Sequence, residues 1–150
     1  MTGISITGPD YGFDMANFDV RLENAEGSEQ AAGLVVALNK SVDATTGMPD
    51  KFMLPNDGDE IDGVQVGIMG VLLETTAIGA KGMVRIRGIV DATGGDTAAL
   101  GSGLQAGTDG KLVEATTVEK CVAFNLAENV AGTRVKVIFD GLNGFGVSGT

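Results

Sequence analysis

Apolar positions along this chain fall in short runs and alternating stretches rather than in helical stripes. From Met83 to Val90 the alternation is clean: Val84, Ile86 and Val90 point one way while Arg85 and Arg87 point the other. That period of two is the mark of a half-buried strand. Val122, Phe124 and Leu126 alternate in the same way, and so do Val135, Val137 and Phe139. Leu34-Val-Val-Ala-Leu38, Lys51-Phe-Met-Leu54 and Lys111 to Ala115 are shorter strand candidates, and Val64 to Glu74 is a longer apolar stretch broken by Gly67 and Gly70. Between them lie a loop at Asp43 to Pro49, an acidic turn at Pro55 to Gly63, and a Gly/Thr/Ala-rich region over 91–110. One short helix is expected over 93–100. Glycine accounts for 24 of 150 residues, against an average of about 7%. Helix interiors tolerate glycine badly, whereas turns and bulges use it. The expectation is an all-β domain of short strands and tight turns, an antiparallel barrel or sandwich.

Three regions follow from the pattern. Residues 1–30 carry Ile4, Ile6, Tyr11, Phe13, Met15 and Phe18 at loose spacing, broken by Gly3, Gly8, Pro9 and Gly12. They are too apolar for a free tail and too broken for a helix, so they are expected to form an extended arm. Residues 31–142 form the β body, and the Gly-rich residues 143–150 a tail. Within the body, sliding the chain by 53 positions places Gly70-Val-Leu-Leu73 on Ala123-Phe-Asn-Leu126, Gly79 on Gly132, Val84 on Val137 and Ile86 on Phe139. This describes two equivalent hairpins in one barrel or sandwich.

Charge and chemistry then narrow the function. The net charge is −10, which argues against nucleic acid as a partner, since a polyanion binder needs a basic surface. No apolar run approaches the ~20 residues that span a bilayer, and the first residues lack the basic and apolar regions of a signal peptide, so folding in a cytoplasm is expected. The chain has no histidine, the commonest general base and metal ligand. Its one cysteine, Cys121, sits in an apolar setting and reads as a core thiol. Asp57, Asp59, Glu60 and Asp62 cluster, but an EF-hand count from Asp57 puts Asp62 at the sixth position and Ile68 at the twelfth, so the Ca²⁺ pattern fails. Gly101 to Gly107 resembles a phosphate loop only in its glycines. Lys51 follows Pro49 and opens an apolar run, unlike the hairpin-tip lysine of a lipoyl-type carrier. No catalytic residue, cofactor or metal is expected. Arg85, Arg87, Arg134 and Lys136 instead suggest a basic stripe, either a solvated face or one turned to an acidic partner surface.

The order Ala32-Gly-Leu-Val-Val36, Asp62-Gly-Val64, Gly70-Val-Leu-Leu-Glu74, Gly88-Ile-Val90, Gly110-Lys-Leu-Val113 and Ala131-Gly-Thr-Arg-Val-Lys-Val137 resembles the small Gly-rich β-proteins known as phage capsid decoration, or cement, proteins. The resemblance covers roughly residues 31–140. It implies a compact, β-tulip-like barrel that binds the outside of the phage head, clamps capsomers of the major capsid protein, and associates with itself, as a homotrimer. Its implied location is the virion, after synthesis in the host cytoplasm. Candidate contact residues are Ile4, Ile6, Tyr11, Phe13 and Phe18 in the arm, the four basic residues, and Phe145 in the tail. The alternatives are another β-structural virion protein of tail-tube type, or a small lipoyl-like carrier.

Overall fold

The fold is seen in a computed structural model, which describes residues 17–39, 44–55, 60–61, 64–65, 67–107 and 109–142. In chain order the strands are β1 (Phe18–Asn24), β2 (Val35–Leu38), β3 (Lys51–Met53), β4 (Glu60–Ile61), β5 (Val64–Gln65), β6 (Met69–Leu72), β7 (Lys81–Thr93), β8 (Gly103–Ala106), β9 (Leu112–Glu114), β10 (Ala123–Asn125) and β11 (Arg134–Asp140). Helical structure among the described residues is confined to one 3-10 turn, Val118–Lys120. The all-β class holds.

Five strands close a barrel. β7 pairs antiparallel with β6, β6 with β2 and β2 with β3; β3 lies parallel to β1, and β1 returns antiparallel to β7. Closure is short at the β1–β3 seam, where only Glu23 and Asn24 of β1 pair with β3 among the described residues. The interior holds Leu22, Val36, Phe52, Leu72, Val84 and Ile86, with Val20, Leu38 and Leu54 packed against them. β1 corrects the expected arm, because residues 18–24 are a wall of this barrel and Val20 and Leu22 belong to its core.

The alternation read over 83–90 extends along all thirteen residues of β7, with Gly82, Val84, Ile86, Gly88, Val90 and Ala92 on the buried side. Midway, β7 changes partners. Its pairing with β6 ends at Arg85, and pairing with β11 starts at Arg87. Gly88 sits at the exchange with φ +133°, and a Cβ there would run into the Asn17 side chain. Glycine alone takes that backbone shape without strain. Beyond it β11 pairs with β10, β10 with β8 and β8 with β9. β9 comes back to the end of β7 through a parallel bridge, Gly94 to Leu112.

This second ring repeats the first strand for strand. β1 corresponds to the second half of β7, β2 to β8, β3 to β9, β6 to β10, and the first half of β7 to β11. Registers agree as well. Leu72↔Val84 becomes Asn125↔Val137, Arg21↔Met83 becomes Asp91↔Lys136, and Leu38↔Phe52 becomes Ala106↔Leu112. The parallel contact Asn24↔Phe52 becomes Gly94↔Leu112, and the bridge Gln30↔Thr76 becomes Ala98↔Asn129. Turn glycines with positive φ also match, Gly33 (93°) with Gly101 (82°) and Gly79 (74°) with Gly132 (80°). The hairpin repeat at an offset of 53 is therefore real in register. Its two copies lie in two rings that share β7, instead of in one barrel.

Other expectations need correcting. Residues 93–100 form no helix: Thr93 ends β7 and Ala98 bridges to Asn129. The glycine-rich run 101–107 contains β8. The face of β10 is reversed relative to its apolar alternation. Ala123 and Asn125 are buried while Phe124 is exposed. Asn125 takes the interior place of Leu72, and its Nδ2 donates to the Ala98 and Ala99 carbonyls at 3.2 and 2.8 Å. The amide donor is satisfied, while the buried Oδ1 has no hydrogen-bond partner.

Candidate interaction surface

The two rings differ at their mouths. In the second ring the interior residues Val90, Ala92, Leu104, Leu112, Val137 and Phe139 form one cluster with Val35, Ala37, Met69 and Val71. Those four point outward from β2 and β6 of the first barrel, so the first barrel's outer wall packs onto the second ring. The joint is tight. Val35 N–H donates to the Gly110 carbonyl at 2.7 Å, and Met69 N–H to the Gly141 carbonyl at 3.2 Å. A Cβ on either glycine would strike the backbone of its neighbour.

The corresponding mouth of the first barrel is open. It forms an apolar groove of ≈ 350 Å³ lined by Phe18, Val20, Leu22, Leu38, Met48, Ile68, Ile86 and Leu142, with Arg21 and Asp50 among the lining residues. Phe18, Met48, Ile68 and Leu142 are all exposed. Scattered apolar side chains are ordinary on a surface, but a contiguous cluster of four around a groove marks an interaction site. Phe18 opens β1 and Leu142 is the last described residue, so the described body begins and ends at the groove.

The expected contact residues divide accordingly. Ile4, Ile6, Tyr11, Phe13 and Phe145, like Asp57, Asp59 and Asp62, lie outside the described residues. Phe18 is in the groove. The four basic residues do not form a free stripe, because each already has a partner. Arg85 grips Asp19 through Nε and a terminal nitrogen at 2.9 and 3.1 Å and donates to the Ile89 carbonyl. Its hydrogen bond to Asp19 holds the guanidinium above its usual pKa against the opposing effect of partial burial. Arg87 reaches the buried carboxylate of Asp140 at 3.1 Å, Lys136 lies 3.3 Å from Asp91, and Arg134 donates to the Asp91 carbonyl. These residues tie β7 to β1 and β11. Lys51 opens β3 and lies 3.8 Å from Glu23, away from any hairpin tip. Burial pushes the Cys121 thiol above its ordinary pKa, outweighing its hydrogen bonds with the Ala123 and Leu104 backbone. That is the behaviour of a structural thiol.

The groove was not legible as a site in the sequence. Its residues come from β1, β2, the loop before β3, the residue before β6, β7 and the turn after β11, and only the ring brings them together. One signal did exist, the alternation Val20 and Leu22 against Asp19, Arg21 and Glu23.

No protein-family model and no curated protein sequence matches the chain. Among solved structures, the crystal structure of the N base of head fiber gp8.5 from bacteriophage phi29 matches with a TM-score of 0.60 and 13% identity, covering 84% of this chain and 96% of that one. The two share a fold.

Proposed function

We propose that this chain is a structural protein of the phage virion that decorates the outside of the head, binding the major capsid protein and stabilising contacts between capsomers. The observation carrying the reading is that its fold matches nearly the whole base of a phage head fiber. The resemblance of residues 31–140 to decoration proteins points the same way. A role of this kind requires a stable body, an apolar contact surface and many copies, and no chemical step. The two-ring body and the exposed groove suit it. Repetition over a shell lets modest individual contacts add up to firm attachment. We further propose that the chain acts as a homotrimer without nucleic acid, membrane or cofactor, and that the segment bearing Ile4, Ile6, Tyr11 and Phe13 contacts the shell.

The experiment is localisation. Antibody against the chain, applied to virions of the phage that encodes it, is expected to label heads. Label confined to tails would replace the proposal with the tail-tube reading, and absence from the particle would end both.

A further inference from the structure

We infer that the first barrel binds an extended segment of the major capsid protein by strand addition. The segment pairs with the free edge of β1 at Asp19 and Arg21, sets apolar side chains in the open mouth, and brings a lysine or arginine to Asp50. The inference deepens the proposed attachment to the head and rests on it. The free edge follows from the register. Asn24 N–H donates to the Ala80 carbonyl at 2.8 Å, so Val20, Leu22 and Asn24 direct their backbone groups toward β7. Backbone groups alternate along an antiparallel pair, so Asp19, Arg21 and Glu23 direct theirs to the other side. There Glu23 N–H reaches the Asp50 carbonyl at 2.9 Å, where the ladder to β3 begins. Among the described residues, no backbone bond joins Arg21 or Asp19 to the stretch 48–50. Phe18, Val20 and Arg21 on one side of this gap, and Met48, Pro49 and Asp50 on the other, line the apolar groove.

The second ring shows what such a gap takes. Its counterpart lies between the second half of β7 and the residues before β9, with Thr93 in the place of Glu23 and Gly110 in that of Asp50. These two are not bonded to each other. The run Gly33-Leu34-Val35, which leads into β2, passes between them. Thr93 N–H donates to the Gly33 carbonyl at 2.8 Å, and Val35 N–H to the Gly110 carbonyl at 2.7 Å. The Val35 side chain is fully buried in the second ring's cluster. Backbone pairing joined to apolar burial is how a sheet edge captures a peptide. The gap in the first barrel has the free edge and the apolar lining, with no inserted segment among the described residues. The lining also states the chemistry of the occupant. Val20, Leu22, Leu38 and Ile86 call for apolar side chains at alternate positions. Asp50 calls for a cation, because its Oδ1 is buried with no hydrogen-bond partner, and a carboxylate against apolar surroundings is costly until paired. The net charge of −10 favours a basic segment in the same way.

The test uses the full chain and phage heads that lack it. Met48→Glu and Asp50→Asn should keep the parent's melting temperature, since Met48 is 65% exposed and the Asp50 change breaks no ion pair among the described residues. Each should weaken head binding about tenfold or more. Leu100→Glu, as exposed as Met48 but outside the groove, should bind as the parent does. Amide hydrogen exchange reads the strand addition itself. The Asp19 and Arg21 N–H groups should exchange at least about tenfold more slowly on the head than in the free chain. Binding by either groove variant at the parent's strength, or unchanged exchange at Asp19 and Arg21 on the head, overturns the inference and leaves attachment standing. A parent chain that does not bind heads overturns both. Slow exchange at these two amides in the free chain at every concentration shows the gap filled from its own chain. Slowing that grows with the concentration of free chain shows a second copy in it. Either of these results overturns the inference.

Discussion

The two rings have the same strand order and register, yet the second is sealed and the first is open. The seal comes from the first barrel's own outer wall, so the difference reflects position in the chain more than the rings' design. The first ring has a neighbour after it to cover, while its own mouth has no cover among the described residues. Duplicating a unit in this way leaves one mouth without a described cover at the end of the repeat. That is the condition repeat proteins meet with capping elements.

The largest expected effect tests whether the rings are one folding unit. Phe139→Ala removes the largest fully buried side chain of the second ring and should cost about 3–5 kcal/mol. Because the Val35 and Met69 face joins both interiors, a single cooperative transition is expected in denaturant, shifted to a lower midpoint. Two separated transitions would show the rings to be independent. Met69→Ala acts on the joint itself. It should cost about 2–5 kcal/mol, and hydrogen exchange should speed up in both rings rather than only in the first. Arg87→Met leaves the buried Asp140 carboxylate without its cation, although Leu142 N–H still donates to it at 3.0 Å. The cost should be roughly 1–3 kcal/mol by thermal melt. Lys136→Gln breaks an exposed pair with Asp91 and should change stability by less than about 1 kcal/mol. Head binding by Lys136→Gln should also match the parent; a marked loss would revive the basic stripe as a contact.

Much of the fold could be read from the pattern, and the reason the repeat was only half visible is physical. Corresponding hairpin residues are offset by 53 positions (Val84 to Val137), but β3 and β9 by 60 (Phe52 to Leu112), β2 and β8 by 68 (Leu38 to Ala106), and β1 and late β7 by 70 (Val20 to Val90). Connections of different length break any single offset, so sliding the chain finds only the hairpin. The interiors are also filled differently. Leu22 and Ile86 in one ring correspond to Ala92 and Phe139 in the other, a redistribution of volume that cores tolerate. Likeness between the rings therefore lies in register more than in residue identity. Glycine hid β8, whose Gly103 backs onto the Cys121 side chain. The reversed face of β10 was hidden by Phe124, an exposed aromatic in an alternating strand. Apart from the alternation of Val20 and Leu22, the open mouth left no mark in the sequence, since its lining is assembled by barrel closure from six separated stretches.

The account stands or falls on attachment to the phage head. The direct measurement is binding of the purified full chain to expanded heads of its own phage that lack it, counting bound copies at saturation by quantitative mass spectrometry. The account predicts saturable binding, with a copy number set by a repeated site on the shell and no requirement for packaged DNA. Failure to bind such heads, while the same preparation is folded and the heads accept their other surface proteins, would contradict it.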